Sequence, residues 1–415
     1  MQYLVRRVII KENIMNQKKI IYFLLIVLIL LIGLGIAGYF YLTNTKVSPN
    51  GEVSLTEGGL VENNTLPEED TTSVPTADLA PGEVPRLRKI SATPISGAEI
   101  FTLKTGTSSQ DSVIKYIDRA TGNAYQTTRN SLETKRITTT TLPKTYFAYF
   151  MDGGISVVLQ SLTESSAVST YVASLNEASS EIFGKYIREN AFPLVVSPFK
   201  NRFFYLTKES TGAVGYISDS KTKETQVFSH PLSDWSVQWV NENTLMFTTK
   251  PASAIQSVSY LYDLRVKKLS KVFGPKNGLT ALSSPLLDKI IYSETIQEKL
   301  LTGIHDTKTN SDTYLEQTTL ADKCVWSSTS VIVYCGVPKT IPSGKLPDIW
   351  YQGLLSTNDR IVAINTNTQE ETIIVDPQNE AGEEIDTQDL KLSADGNYLI
   401  FTNKKDLSLW GLKLN

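Results

Sequence analysis

Apolar and polar positions alternate along this chain in short runs, and Gly, Asn, Asp, Ser and Pro break the runs at close intervals. A period of two marks half-buried strands, and the breaks mark turns. The clearest case is Leu390-Lys391-Leu392-Ser393-Ala394-Asp395-Gly396-Asn397-Tyr398-Leu399-Ile400-Phe401-Thr402. It predicts a strand to about Ser393, a tight turn, and a second, more apolar strand. Asp395-Gly396 supplies the positive φ that a two-residue hairpin turn demands. A third strand, Leu407 to Leu414, alternates apolar and polar positions.

Weaker copies of the strand–turn–strand unit recur at Ala148 to Leu159, Leu194 to Leu206, Val237 to Thr248, Ala281 to Tyr292 and Val325 to Tyr334. A second hairpin follows each, as in Tyr260 to Lys268 or Ile361 to Thr368. Two hairpins make four strands, and a four-stranded unit about every 40–50 residues is the sequence mark of β-propeller blades. The count predicts an all-β, seven-bladed propeller over residues 87–415, with six or eight blades as alternatives. A stacked β-solenoid or a pair of β-sandwiches is the competing architecture. The last blade holds only three strands, so a strand from near Leu87 to Ala92 is expected to complete it and close the ring. The first blade must then find its strands between about Ile100 and Thr128.

Ser393-Ala394-Asp395-Gly396-Asn397-Tyr398-Leu399-Ile400-Phe401-Thr402 resembles the S-x-D-G-x-x-[ILV]-x-F-[ST] signature of WD40-like repeats in TolB-like propellers. Ser197 to Tyr205 is similar to it without the Asp-Gly pair. The segment from Lys323 to Pro338 resembles a recurring feature of bacterial membrane-anchored proteins of this architecture. The resemblance implies a propeller and a binding scaffold, and its motif is structural, so it carries no catalytic residue.

The N-terminal part reads differently. Residues 1–19 hold Arg6, Arg7, Lys11, Lys18 and Lys19 against Glu12 alone, a short basic cytoplasmic tail. Residues 20–42 carry no charge and match the ~20 apolar residues that a transmembrane helix needs. A cleaved signal peptide competes, with Gly35-Ile36-Ala37 as its site, but apolar residues continue to Leu42. Met15 is an alternative start. The basic flank places the N-terminus in the cytoplasm and the rest outside the cell, as a single-pass protein of the cell membrane. Residues 43–86 are polar, with eight acids against Lys46 and Arg86, and read as a disordered acidic stalk.

Net charge is −3, which gives no electrostatic reason for a nucleic-acid partner. Two cysteines and two histidines at unsuitable spacings supply no zinc site. No cofactor-binding or metal motif is expected. Asp306, Asn310 and Asp312 lack the glycine and glutamate of a calcium loop. No GxSxG, HExxH, P-loop or GxGxxG stands in the chain, so no catalytic residue is named. If Thr329-Ser330 centres a turn, Cys324 stands opposite Cys335, within disulfide reach outside the cell. The closed loop is short, so the bond stabilises by on the order of 2–3 kcal/mol.

One insertion interrupts the repeat, Pro338 to Gly353, with Trp350 and Tyr351 as candidate contacts for a protein or glycan partner. The competing reading folds them back over a blade edge or the channel mouth. Trp235, Trp239, Trp326 and Trp410 belong to the core between blades. The function expected is a non-enzymatic binding or scaffolding module for a protein or cell-envelope ligand. The alternative is an extracytoplasmic hydrolase or lyase whose carboxylates converge on the channel, one from each of several blades. Clustered acids at the mouth favour the alternative, and a mouth of Ser, Thr and apolar side chains excludes it.

Overall fold

A computed structural model describes residues 83–103, 111–176, 180–341 and 344–414. The expected tail and transmembrane helix, and the expected stalk up to residue 82, lie outside the described residues. No helix among the described residues is long and apolar enough to cross a membrane.

Seven four-stranded antiparallel sheets follow one another, each ordered in sequence from its inner to its outer strand. Blades 1 to 6 span residues 95–136, 145–186, 194–230, 235–277, 280–314 and 324–375. Blade 7 takes three strands from residues 387–413, and its outermost place is filled by Leu87–Ser91, at the other end of the domain. In that seam Leu87 faces Leu412, Arg88 faces Gly411 and Lys89 faces Trp410. The expected closure is therefore present. Blade 1 begins earlier and ends later than expected, with strands from Ile95–Leu103 to Lys135–Arg136. A turn over residues 92–94 suffices after the seam strand, and the outermost strand is only two residues long.

The repeated serine explains which part of the signature was legible. Ser393 N–H donates to the Tyr398 carbonyl at 2.8 Å, and Ser393 Oγ accepts the Tyr398 N–H at 2.9 Å. The loop between them has four residues rather than the two expected, with Gly396 at φ 73°. Ser197, Ser284 and Ser327 close the equivalent loops of blades 3, 5 and 6 in the same way, to Arg202, Lys289 and Ile332. Their left-handed positions are held by Lys200, Leu287 and Ser330, at φ 53°, 60° and 60°. Glycine relieves that conformation but is not obligatory, so the serine recurs where the Asp-Gly pair does not. A longer loop on the same centre leaves the strand register unchanged. Cys324 and Cys335 accordingly face each other and form a disulfide.

Blades bury their faces against each other. Phe204 of blade 3 meets Phe247 of blade 4 edge-on at 5.7 Å between centroids, and Phe228 stacks on Phe247 at 4.3 Å. Trp235, Trp239, Trp326 and Trp410 are all buried in such contacts. The inner strands pack round a central axis, and a short 3-10 turn, Ala321–Lys323, bridges the inner strands of blades 5 and 7. One end of the channel is ringed by the loops between first and second strands. The other end, here the roofed face, is ringed by loops between second and third strands and by the connections from blade to blade.

Candidate functional site

The roof is the insertion of blade 6. Its one-turn helix, Asp348–Tyr351, lies over Leu300, Leu320 and Leu346. On one side Thr295 Oγ1 donates to the Leu346 carbonyl at 2.6 Å, and Asp348 Oδ2 accepts the Ser253 N–H of blade 4 at 2.7 Å. On the other side the Trp350 indole donates to Asp386 at 3.1 Å. Trp350 is only 6% exposed, so it is a roof anchor and cannot meet a partner as expected. Of the two aromatic residues singled out in the insertion, only Tyr351 remains open, at 45% exposed.

Beneath Trp350 lies a buried charge network. Lys323 Nζ, 1% exposed, sits 2.7 Å from Asp359 Oδ2, 2.7 Å from Asp386 Oδ1 and 2.6 Å from Thr357 Oγ1. All three ammonium protons thus have acceptors, which is the condition for burying such a charge. Lys323 and Lys404 also lie 5.4 and 4.7 Å from the centre of the Trp350 ring. The network joins blade 6, blade 7 and the roof.

The 3-10 turn sends successive side chains in opposite directions. Lys323 enters the wall, whereas Asp322 is exposed at the channel and accepts the Tyr351 hydroxyl proton at 2.7 Å. Asp389 reaches the same space from the inner strand of blade 7. The ladder slips between Gln388 and Lys391, and Asp389 takes a left-handed φ of 52° at that bulge. Its charge acts on Asp322, in the turn that leads into blade 6, and on Tyr149 of blade 2, groups far apart in the chain. Burial raises the Asp389 carboxyl above the ordinary range, and Lys391 offsets this in part. Burial and then the neighbouring Asp389 raise Asp322. Burial and Asp322 hold the Tyr351 phenol well above its usual range, and burial with Asp389 does the same for Tyr149. Asp322 and Asp389 are open to solvent and yet walled by protein, as suits a narrow channel. Neither is in an ion pair among the described residues.

The far end of the channel is balanced. Glu99 of blade 1 sits 2.6 Å from Lys200 Nζ and 3.4 Å from Lys391 Nζ, and its Oε1 accepts the Ile100 N–H at 3.1 Å. Burial works to raise this carboxyl, but Lys391 and Lys200 together hold it below its ordinary value.

Between blades 4 and 5, His305 Nδ1 lies 2.8 Å from Asp312, an acid that was not paired with it from the sequence. Lys276 bridges Asp312 and Glu294, at 3.2 and 2.7 Å. His305 is buried against Phe273 and its Nε2 has no partner, so no hydroxyl or thiol nucleophile stands in line with it. Asp306 accepts the N–H groups of Lys308 and Thr309, which makes it a turn residue. No acid, histidine or cysteine group suited to a metal occurs among the described residues.

Asp322, Asp389, Tyr149 and Glu99 were not singled out by sequence. Each belongs to a different blade, and the only signal was a polar residue in or beside an inner strand that otherwise alternates.

No protein-family model and no curated protein matches the chain. Solved structures of similar fold include an oligogalacturonate lyase in complex with manganese, 10% identical at a TM-score of 0.49, covering 78% of this chain and 97% of that one. TolB from Acinetobacter baumannii is 11% identical at 0.41, covering 76% and 79%. The β-propeller domain of the Trilobed protease from Pyrococcus furiosus is 13% identical at 0.42, covering 62% and 79%. The seven four-stranded sheets bear out the propeller that the resemblance implied, and no residue role is carried across from these structures.

Proposed function

We propose that this chain is a membrane-anchored, extracytoplasmic binding module whose ligand occupies the roofed end of the channel. The observation that carries the reading is the pair Asp322 and Asp389. Two carboxyls from different inner elements lie near two tyrosines, and neither is in an ion pair among the described residues. Such groups cost stability unless a ligand supplies hydrogen-bond donors or positive charge. The roof meets Asp322 directly through the Tyr351 hydroxyl, and Trp350 anchors the roof on Asp386.

The test is binding of cell-envelope fractions and peptides to the full chain, with Asp322→Asn, Asp389→Asn and Tyr351→Phe as variants. At least tenfold weaker binding in both aspartate variants supports the reading. A ligand that ignores all three substitutions removes it.

The clustered acids also favour the second reading, a hydrolase or lyase, because a carboxyl raised by burial can hold a proton for donation. Release of reducing ends from an envelope polysaccharide by the full chain, lost in Asp322→Asn or Asp389→Asn, would establish that reading instead.

A further inference from the structure

We infer that the ligand of the roofed end is a protein, which presses an apolar surface onto this face and places a lysine or arginine side chain between Asp322 and Asp389. The inference rests on the proposed channel-mouth site and names its occupant.

Large apolar side chains stand exposed on the roofed face of five successive blades. Phe147 and Phe192 lie at blades 2 and 3, Leu232 at the connection to blade 4, Ile255 in blade 4, Ile296 in blade 5 and Leu354 in the roof, between 41% and 76% exposed. Phe147 and Phe192 are in contact, with ring centroids 5.8 Å apart. Phe147 also stands two residues before Tyr149 on the same inner strand, so the apolar arc begins at the channel wall. An exposed apolar arc marks a protein-interaction surface, and contacts of this kind round a central anchor exclude water from it.

Charge selects the partner. Burial disfavours the ionised forms of both Asp322 and Asp389, and the charge of Asp389 adds to this at Asp322; a partner ammonium or guanidinium reverses that balance. A basic side chain entering a confined acidic site, ringed by apolar contacts that exclude water, is the composition of an interface hot spot. The opposite face differs in this respect. It also exposes loop-tip side chains, Ile155, Phe199 and Leu286, but the charge there is already paired by Glu99, Lys200 and Lys391.

The path of the chain agrees. The seam strand starts at the face opposite the roof, where the Lys413 N–H donates to the Arg86 carbonyl and the Leu414 N–H donates to the Asn397 carbonyl of a first-to-second-strand loop. Residues 83–86 therefore approach the ring from the face opposite the roof.

The experiment pans a phage-displayed library of disulfide-cyclised peptides against the full chain in detergent. Selected peptides are expected to carry Lys or Arg beside apolar residues. Their binding is expected to fall at least tenfold in Asp322→Asn and Asp389→Asn, at least threefold in Leu354→Ser, and to persist in Phe199→Ser on the opposite face. Failure to enrich any sequence overturns the inference, as does a consensus without a basic residue or binding indifferent to the two aspartates. A neutral polysaccharide that needs Asp322 and Asp389 while no peptide is enriched overturns the protein partner and leaves the channel-mouth site standing. Binding to neutral phosphatidylcholine vesicles that requires Leu354, again with no peptide enriched, overturns it in favour of a lipid surface.

Discussion

Both ends of the channel hold carboxyl groups, and they treat them differently. At the far end one carboxylate is met by two lysines, and its ionised form is favoured. At the roofed end Asp322 accepts from the Tyr351 hydroxyl and feels the charge of Asp389, and the ionised forms of both carboxyls are disfavoured. Lys391 shows how small the separation is, since it pairs with Glu99 and also moderates Asp389. A satisfied cluster explains itself as part of the wall. An unsatisfied one persists in a folded protein when something outside the chain completes it.

Five substitutions break or sharpen this contrast. The largest effect is expected from Lys323→Met, which leaves Asp359 buried without its cation and Asp386 with Lys404 at 3.9 Å. Removing one partner of a buried pair costs about 3–5 kcal/mol, and denaturant unfolding should show it together with brightened or shifted Trp350 emission. An unchanged midpoint would mean that the network does not hold the roof.

Glu99→Gln should cost about 1–2 kcal/mol at neutral pH, a value discounted because Lys200 and Lys391 are each 32% exposed. Glu99 is held below its ordinary value, so its contribution is present above the usual glutamate range and is lost as pH falls through the lowered value. The cost of Glu99→Gln should therefore shrink on acidification below about pH 4.

Asp322→Asn and Asp389→Asn should have the opposite sign. Both carboxyls are raised, so the folded state favours the protonated form and the ionised form weakens it at neutral pH. Each variant should melt about 1 °C higher at pH 7–8, after discounting for the solvent that reaches both groups. The gain should shrink as pH falls through the raised values and vanish below the ordinary aspartate value of ~3.9, where folded and unfolded chains are both protonated. A loss of stability at pH 7 would show that these carboxyls are structural and would end the contrast. The smallest effect belongs to Tyr351→Phe, a few tenths of a kcal/mol from one exposed hydrogen bond. Lowering of the Asp322 carboxyl by that bond should disappear with it, which a carbon-13 titration of Asp322 can follow.

The sequence displayed the fold through what every blade must repeat. Alternation, the loop serines and the missing strand of blade 7 are local or periodic, and they predicted the ring, its seam and the position of Cys324 opposite Cys335. The site was hidden for the same reason. Asp322, Asp389 and Tyr149 each occur once, in different blades, and meet only through closure of the ring. The insertion was visible as an interruption, but its two aromatic residues could not be told apart. Trp350 found a buried acceptor in Asp386, more than thirty positions away, and Tyr351 did not. Asp389 was least legible, because a single bulge turned it out of the pleat into which Leu390 still packs.

The seam has a mechanical consequence. Leu87–Ser91 is the first strand that tension along the preceding chain would reach, and it runs from the face where the polypeptide enters toward the roofed face. A pull from that side acts along the strand's own axis, across ladder bonds that lie perpendicular to it. The bonds to residues 409–412 are then loaded together in shear instead of being peeled one at a time. A propeller held by this strand resists tugging at the place where its ring is joined.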